Sequence, residues 1–192
     1  MSDTKINIGE VRLSYCHLFT PEAVADGGEK KYSVSILIPK SNTKLVNAIK
    51  AAIEAAIVAG LPTFGGKRPA ELKTPLRDGD IKRPDDEAYA GCYFINATSR
   101  RKPGVVKAMK VNGETSLVEV TNEEDVYSGC YGFVSVNFFA FNNAGNRGIA
   151  AGLNNVLKTK DGDFLGGRAS AQSDFGGLDL DAIAATEEDD VF

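Results

Sequence analysis

Basic and aromatic side chains in the second half of the sequence suggest a way to hold a polyanion. Lysine and arginine pair with phosphate oxygens, and aromatic rings stack on bases with little sequence preference. The predicted phosphate contacts are Arg100, Arg101, Lys102, Lys107 and Lys110. The predicted base contacts and their polar neighbours on the same strand faces are Phe94, Asn96, Tyr131, Asn137 and Phe139. This set predicts a surface for a single nucleic-acid strand, although a solvated turn and a second packed layer of aromatics stay open as simpler interpretations.

A long segment without hydrophobic periodicity, residues 61–90, adds further cations. Prolines and glycines recur through it, and a structureless loop of this length in a compact domain usually binds something. We expect it to be mobile without a ligand and to close over a bound strand. Arg77 is the strongest candidate for a phosphate contact, because Asp78-Gly79-Asp80 predicts a turn beside it. The other candidates are Phe64, Lys82 and Arg83, with Lys67 and Arg68 in the same loop.

Metal-binding and catalytic sites are weakly indicated. Cys16, His17, Cys92 and Cys130 are of the right types for zinc, but no C-x-x-C pair exists, and adjacent Cys16 and His17 would have to turn to one ion. Acidic residues of the long loop could hold Mg²⁺ for a nuclease, yet no Glu-x-Lys follows Pro84-Asp85 to complete the motif. Those acidic residues are Asp78, Asp80, Asp85, Asp86 and Glu87. We therefore predict no enzyme activity, no metal and no cofactor, and a metal-dependent nuclease is the rival class.

Charge is distributed unevenly along the chain. The formal net charge is −4, but the residues after Arg168 include seven acidic and no basic side chains, which leaves +3 on residues 1–168. Such asymmetry suggests a nucleic-acid-binding body whose tail competes with the polyanion. We expect residues 169–192 to be disordered and to recruit a partner protein through an aromatic anchor beside carboxylates. The predicted partner contacts are Glu187, Glu188, Asp189, Asp190 and Phe192.

Cysteine content and hydropathy predict a cytoplasmic protein without membrane contact. The three cysteines are an odd number in apolar surroundings, as expected of small buried side chains in a reducing compartment. The sequence opens without a basic-then-apolar signal region. Its most apolar helical stretch, residues 51–60, is too short to span a bilayer and contains Glu54.

The strongest element pattern is a hairpin formed by residues 129–141 and 147–158. The first of these strands is uncharged and rich in β-branched and aromatic residues, and an Asn/Gly-rich turn follows it. Alternation places Val134, Val136, Phe138 and Ala140 on the core face and leaves the aromatics with Ser135 and Asn137 on the other. Further strands are predicted at 5–14, with a bulge at Gly9-Glu10, and at 31–38, 91–101 and 105–111.

One helix is strongly predicted, between the second and third strands. Leu45, Ile49, Ile53 and Ile57 recur every fourth residue, Ser41 or Asn42 can cap the start, and Gly60 with Pro62 ends it. A single helix is incompatible with a βαβ repeat. The predicted fold is therefore all-β with one main helix: an oligonucleotide/oligosaccharide-binding (OB) fold, a five-stranded Greek-key barrel with long loops and the acidic tail.

Several motifs resemble a family of bacteriophage single-stranded-DNA-binding proteins. They are residues 32–40 (YSVSILIPK), 75–80 (PLRDGD), 91–97 (GCYFINA), 101–103 (RKP) and the closing hairpin. The likeness runs from about residue 6 to residue 158 and implies an OB-fold that coats single strands in phage replication or recombination in the bacterial host. The tail is similar to those of bacterial and other phage single-strand binders, but Val191 stands where the bacterial proteins have proline.

These observations predict a non-enzymatic protein that binds single-stranded DNA without sequence preference and recruits replication or recombination proteins. A nuclease or other DNA-processing enzyme is the second hypothesis, and a β-rich virion component is the third. A homo-oligomer is compatible with the sequence.

Overall fold

Five long strands wrap around the main apolar core. The computed structural model describes residues 3–23, 26–165, 175 and 177–183. Its principal elements are β1 (Lys5–Ala23), β2 (Lys30–Pro39), α1 (Thr43–Ala59), β3 (Arg77–Asp78), α2 (Gly79–Lys82), β4 (Cys92–Ser99), β5 (Gly104–Val111), β6 (Glu114–Glu119), β7 (Tyr131–Asn143) and β8 (Asn146–Lys160).

The barrel closes through a parallel strand pair. Strands β4, β2, β1, β7 and β8 are antiparallel neighbours in that order, and β8 returns to β4, where Ala97 pairs with Ala151. The second half of β8 pairs in parallel with β5, which forms a hairpin with β6. The predicted five-stranded barrel with one main helix is confirmed.

Side-chain alternation places the core as the sequence predicts. Val134, Val136 and Phe138 of β7 are buried, and so are Val34 and Ile36 of β2. Helix α1 packs its apolar stripe on one end of the barrel, with Ile49, Ile53 and Ala56 among its buried residues. Asn42 is its N-cap, because the side-chain oxygen accepts a hydrogen bond from Leu45 N, and the helix ends at Gly60.

Turn chemistry and the first bulge also follow the sequence. Asn112 and Gly113 both have positive φ, as a type I′ turn between β5 and β6 requires. The pairing of β1 with β7 changes register between Ile8 and Val11, so the predicted bulge at Gly9-Glu10 is present. Among the residues that the structure describes, no helix combines the length and the apolar character needed to cross a bilayer.

Three segments differ from the sequence prediction. Strand β1 continues to Ala23 instead of ending at residue 14, because it bends at Tyr15, where φ is +45°, and shifts register twice against β2. The 61–90 segment is not structureless: it contains β3, α2 and short 3-10 turns at Leu61–Phe64 and Glu87–Tyr89. Residues 114–119, where no strand was predicted, form β6. Local periodicity missed these elements because each is short or stabilised by distant partners.

Candidate nucleic-acid interface

An aromatic ring lies between two cations on the outer face of the barrel. Tyr131, the first residue of β7, pairs with Arg12 of β1 on one side and with Lys160 of β8 on the other. Arg12 Cζ is 5.8 Å from the Tyr131 ring centroid and Lys160 Nζ is 4.7 Å from it. Cations beside an aromatic platform can meet phosphates while the ring stacks on a base. Tyr131 was predicted from the sequence, whereas neither Arg12 nor Lys160 was.

The Arg12 side chain is fixed by backbone carbonyls. Its Nε donates to Gly129 O at 3.2 Å and its Nη2 donates to Asp163 O at 2.6 Å. Gly129 has φ +116°, and a Cβ there would lie 1.9 Å from Asp163 O, so the close approach of these two chain segments needs glycine. The guanidinium is therefore oriented before any ligand arrives.

The Lys160 side chain is held less firmly. Lys160 Nζ lies 3.1 Å from Glu10 Oε1 in an ion pair that is open to solvent. Hydrogen bonds from Thr159 and Lys160 lower the pKa of Glu10, so this carboxylate stays ionised beside the cation at neutral pH. Exposed pairs of this kind contribute little to stability. Lys160 is thus free to exchange its carboxylate for a phosphate.

The outward face of β7 extends this surface toward α1. Phe133 lies over Gly9, where a Cβ would come within 2.6 Å of its ring. Asn137 pairs with Lys5 of β1 and with Gly152 of β8. Phe139 follows and is 47% exposed. The predicted outward facing of Tyr131, Asn137 and Phe139 is confirmed, and together with Arg12 and Lys160 they form what we call the β7 face.

A second aromatic and cationic group borders the β7 face. Arg83 Cζ lies 5.4 Å from the Tyr15 ring centroid and 5.6 Å from that of Tyr89, and the two rings are 6.5 Å apart. Tyr15 is 48% exposed. Arg12 pairs with Leu37, which packs against Tyr89, so the two groups are neighbours. We call Tyr15, Arg83 and Tyr89 the Tyr15 corner; Arg83 was predicted, whereas Tyr15 was assigned to no surface.

Phe94 was predicted to face solvent, and this is wrong. It does point away from the barrel core, but the chain between α2 and β4 covers it, so that Phe94, Leu37 and Tyr89 form a small second core. The Tyr89 and Phe94 rings meet edge to face at 5.0 Å. Tyr89 donates its hydroxyl to Ser35 Oγ at 2.8 Å, and burial raises its pKa. Phe94 is 2% exposed and offers no open ring face.

Phe64 was likewise predicted as a contact and is buried. It ends the Leu61–Phe64 turn and packs in the main core with 4% of its surface exposed. Asn96, by contrast, is exposed on the outside of β4, as predicted. An aromatic residue in a proline-rich segment gave no periodicity from which its burial could be derived.

The predicted basic hairpin is only partly available. Arg100 Nε lies 2.8 Å from Glu29 Oε1, Lys107 Nζ lies 3.3 Å from Asp125 Oδ2, and Lys102 Nζ lies 5.4 Å from the Phe19 ring centroid. Arg101 and Lys110 are exposed, and neither has a carboxylate partner among the residues that the structure describes. Arg101 and Lys110 can therefore contact a phosphate directly. The other three cations of the hairpin would first have to leave their present partners.

In the 61–90 segment, the predicted turn beside Arg77 is present. The Asp78 side chain accepts a hydrogen bond from Asp80 N and begins α2, while Arg77 and Lys82 are exposed. Lys40 Nζ lies 2.7 Å from both Asp78 Oδ1 and Asp80 Oδ2. Its hydrogen bond to Asp78, followed by that to Asp80, raises the pKa of Lys40, and the same lysine lowers the pKa of Asp80. These carboxylates of the candidate nuclease set therefore fix the turn.

The four residues considered for zinc do not share one place. Cys130 is buried in the main core and Cys16 packs against that core, whereas Cys92 packs against the second core. His17 Nδ1 is 3.9 Å from Glu22 Oε1. Among the described residues, no three His, Cys, Asp or Glu side chains are grouped so as to hold a metal ion.

The chain that leads into the acidic tail runs beside the β7 face. Asp163 O accepts from Arg12, Leu165 N donates to Ser128 O at 2.8 Å, and Leu165 packs against the second core. Further along, the structure describes one helical turn, Leu180–Ile183, in which Asp179 Oδ1 accepts from Ala182 N. The predicted partner contacts Glu187, Glu188, Asp189, Asp190 and Phe192 lie outside the described residues.

Comparison with known proteins supports the resemblance seen in the sequence. The model of a family described as Enterobacter phage Enc34, ssDNA-binding protein, matches residues 4–192, a wider range than the motifs indicated because it includes the tail. Protein p50 of Acyrthosiphon pisum secondary endosymbiont phage 1 is 33% identical over 186 residues, which span 92% of this chain and 95% of p50.

Solved structures of similar proteins agree with this. The single-stranded DNA-binding protein from bacteriophage Enc34 in complex with ssDNA matches with a TM-score of 0.72 and 31% identity over 85% of this chain and 90% of that one. Gp2.5, a single-stranded DNA-binding protein encoded by bacteriophage T7, matches with a TM-score of 0.53 and 15% identity over 95% of this chain and 98% of that one, a likeness of fold alone.

Proposed function

This chain belongs to the family of the Enterobacter phage Enc34 ssDNA-binding protein, and we propose that it binds single-stranded DNA without sequence preference. It coats and protects strands exposed during replication or recombination of a phage genome in the host cytoplasm. The known complex of the Enc34 protein with ssDNA supports this proposal, because the two chains share 31% identity.

The observation that carries the proposal is the Tyr131 ring between Arg12 and Lys160. Bases differ in their hydrogen-bonding edges but all have a stacking face, so a ring flanked by cations accepts any sequence. Arg12 is already oriented by Gly129 O and Asp163 O, which reduces the entropy lost on binding. The ring and the two cations come from three adjacent strands, so the barrel holds their spacing.

The bound DNA strand follows the β7 face and continues over the Tyr15 corner. Phe139 at one end and Tyr15 at the other are exposed rings, and polar Asn137 lies between Phe139 and Tyr131. Arg77, Lys82, Arg101 and Lys110 are exposed cations around this path that can meet phosphates as the strand enters and leaves. Phe64 and Phe94 stabilise the fold and do not stack on bases.

Binding is measured with fluorescently labelled 30-mer oligonucleotides by anisotropy over a range of salt concentrations. Thymine-only and mixed-sequence strands should bind alike, and the affinity should fall as salt rises because phosphate contacts release counterions. The same mixtures with Mg²⁺ are then examined on a denaturing gel. Shortened strands would favour the nuclease hypothesis, and salt-independent or absent binding would favour a virion component.

The acidic tail modulates this binding by competing with DNA. Asp163, which precedes the tail, accepts a hydrogen bond from Arg12, so the seven carboxylates after Arg168 are tethered close to the β7 face. A tether of this length gives a millimolar effective concentration, enough for a weak competitor to matter. DNA that displaces the tail would release Glu187, Glu188, Asp189, Asp190 and Phe192 to a replication or recombination protein.

A chain shortened to residues 1–168 tests the tail. It should bind single-stranded DNA more tightly than the full chain at low salt and about equally at high salt, where screening weakens the competitor. A matched full-length variant with the seven tail carboxylates changed to amides should behave like the shortened chain. Equal affinities at low salt for all three proteins would refute competition and leave the tail as a tether for partners.

A further inference from the structure

Strand β6 forms an open edge of the sheet. Among the residues that the structure describes, β6 is hydrogen-bonded on one side only, to β5. Strands β8 and β5 separate it from β7, so this edge is distinct from the β7 face. An edge strand exposes a row of N–H and C=O groups that can pair with a strand of another chain.

The register of the β5–β6 hairpin shows which backbone groups are unpaired. Residues 112 and 113 form a two-residue turn, so the residues on either side of it exchange hydrogen bonds. Hydrogen-bonded and non-hydrogen-bonded pairs then alternate along the two strands. Val120 N donates to Val105 O at 2.8 Å, which agrees with this alternation. The residues whose N–H and C=O groups point to the open edge are therefore Thr115, Leu117 and Glu119.

The side chains of β6 leave this edge accessible. Exposed edges are commonly protected by a lysine, a proline or a bulge, and β6 has none of these. Its charged residues, Glu114 and Glu119, stand at its two ends. Leu117 near its centre is 65% exposed, and Met109 of β5, on the opposite face of the hairpin, is 43% exposed. Both faces of the hairpin thus carry an apolar side chain that an added strand would cover.

We propose that β6 is a dimerisation edge, which pairs antiparallel with β6 of a second copy of this chain around a two-fold axis at Leu117. Leu117 then lies opposite the partner's Leu117, and Thr115 lies opposite the partner's Glu119. The backbone groups of all these residues point to the shared edge, so the members of each pair exchange hydrogen bonds. Because both copies contribute the same strand, the contact closes after two copies.

Charge complementarity favours this register. Lys110 is next to Thr115 in the hairpin, and the partner's Glu119 lies on the other side of Thr115. Two strand spacings, about 9.6 Å, separate the Cα atoms of the two charged residues, and their long side chains bridge that distance over the small threonine. Within one chain, Lys110 and Glu119 are instead about 13 Å apart along the strands and cannot pair.

A different register is disfavoured by the same charges. A slip of one residue would place Glu114 opposite the partner's Glu119, and like charges directly opposite each other are destabilising. The favourable pair between Lys110 and the partner's Glu119 is open to solvent, so Lys110 can still exchange this carboxylate for a phosphate.

Sedimentation equilibrium of the full chain, without DNA and over a range of concentrations, tests for the dimer. The average mass should rise from 20.4 kDa toward twice that value as the concentration increases. Leu117→Glu puts like charges opposite each other and should raise the Kd of the dimer at least about tenfold. Thr115→Pro should also weaken the dimer, because it removes an N–H from the open edge and none from the bonds to β5. Val58→Glu, on the outer face of α1 where Val58 is 61% exposed, is the matched control and should dimerise as the natural chain does.

Two further sets of variants test the register. Lys110→Glu and Glu119→Lys should each weaken the dimer, whereas the two changes together should restore it, because the ion pair between the copies is then reversed. In Leu117→Cys the paired Cα atoms would be about 5.5 Å apart, within the range that a disulfide spans. This variant should form a covalent dimer on a non-reducing gel after mild oxidation, and Val58→Cys should not.

Monomeric mass at the highest soluble concentration, with Leu117→Cys cross-linked no more than Val58→Cys, would overturn the proposal. A dimer that neither Leu117→Glu nor Thr115→Pro weakens would overturn it too, because the interface would then lie elsewhere. If the double charge exchange does not recover the dimer, the register around Leu117 is wrong. These measurements contain no DNA, so a chain that dimerises as expected but does not bind single-stranded DNA would refute the proposed function alone.

Discussion

Replacing Tyr131 by leucine tests the stacking platform most directly. Leucine keeps an apolar side chain at the first position of β7 but removes the ring. In the free protein Lys160 Nζ lies 4.7 Å from the ring centroid and is also paired with Glu10, whereas Arg12 is held by two backbone carbonyls. We therefore expect a base to replace Lys160 over the ring while Arg12 stays, and Lys160 to move to a phosphate.

The size of the effect follows from that exchange. Stacking of a base on an aromatic ring contributes roughly 1–3 kcal/mol. Displacing an exposed cation from the ring costs about 0.5–1 kcal/mol. The net loss in Tyr131→Leu is then about 1–2 kcal/mol, which corresponds to a five- to thirtyfold weaker Kd at about 1.4 kcal/mol per tenfold. The salt dependence should not change, because no phosphate contact is removed.

Anisotropy titrations at four or more salt concentrations provide the measurement. Lys160→Gln should lower the slope of log K against log salt by about 0.7, and Tyr131→Phe should bind like the natural chain. Lys44→Gln, an exposed change at the start of α1, is the matched charge control. A Tyr131→Leu variant that melts normally and binds within twofold of the natural chain would refute the stacking argument, as would a slope change equal to that of Lys160→Gln.

Three further substitutions test other contacts described above. Glu10→Gln should tighten single-stranded DNA binding, most at low salt, because it frees Lys160 and removes a negative charge from the β7 face; unchanged anisotropy titrations would contradict this. Phe94→Ala should lower the free energy of unfolding by about 3–5 kcal/mol in a urea titration, because it opens a cavity beneath Tyr89, whereas a loss below about 1 kcal/mol would mean that Phe94 is not packed as described. The pKa of Asp80 is lowered by Lys40, so the stability that this pair contributes is present above the ordinary carboxyl pKa and is lost as pH falls through the lower folded value. Asp80→Asn should therefore flatten the decline of the urea midpoint below about pH 4, and parallel declines in the two proteins would show that the pair contributes nothing.

The barrel could be predicted because its strands and its helix have strong local patterns. Strand β7 is uncharged and alternates Val134, Val136 and Phe138 with other residues, so only one of its faces can be the buried one. In the same way, the four-residue spacing in α1 identifies one apolar stripe as its buried face. Alternation also predicted correctly that Phe94 points away from the main core. It could not show that the non-periodic segment just before β4 places Tyr89 over that outer surface, and for this reason Phe94 was expected to be exposed.

The candidate site was harder to predict because its residues are far apart in the sequence and are brought together by the register of the strand pairing. Arg12 and Lys160 flank Tyr131 only because the β1–β7 pairing shifts between Ile8 and Val11, and a one-residue slip would turn Arg12 to the other face. Tyr15 was missed because its positive φ interrupts alternation at the bend of β1. Cations were sought as a run in sequence, at residues 100–110, whereas two cations of the β7 face lie 148 positions apart.

The position of β8 in the chain has a consequence for how the protein folds. This strand completes the pairing of β4, β5 and β7, yet it is the last long element in the described part of the chain. During translation, the edges of the earlier strands therefore lack hydrogen-bond partners until residues 146–160 leave the ribosome. Closure of the barrel by residues so far apart in the sequence is slow compared with the formation of a local hairpin. Open strand edges are the sites at which nascent chains pair with each other. Synthesis interrupted before β8 would thus leave an aggregation-prone open sheet, whereas a chain that ends just after it can still close the barrel.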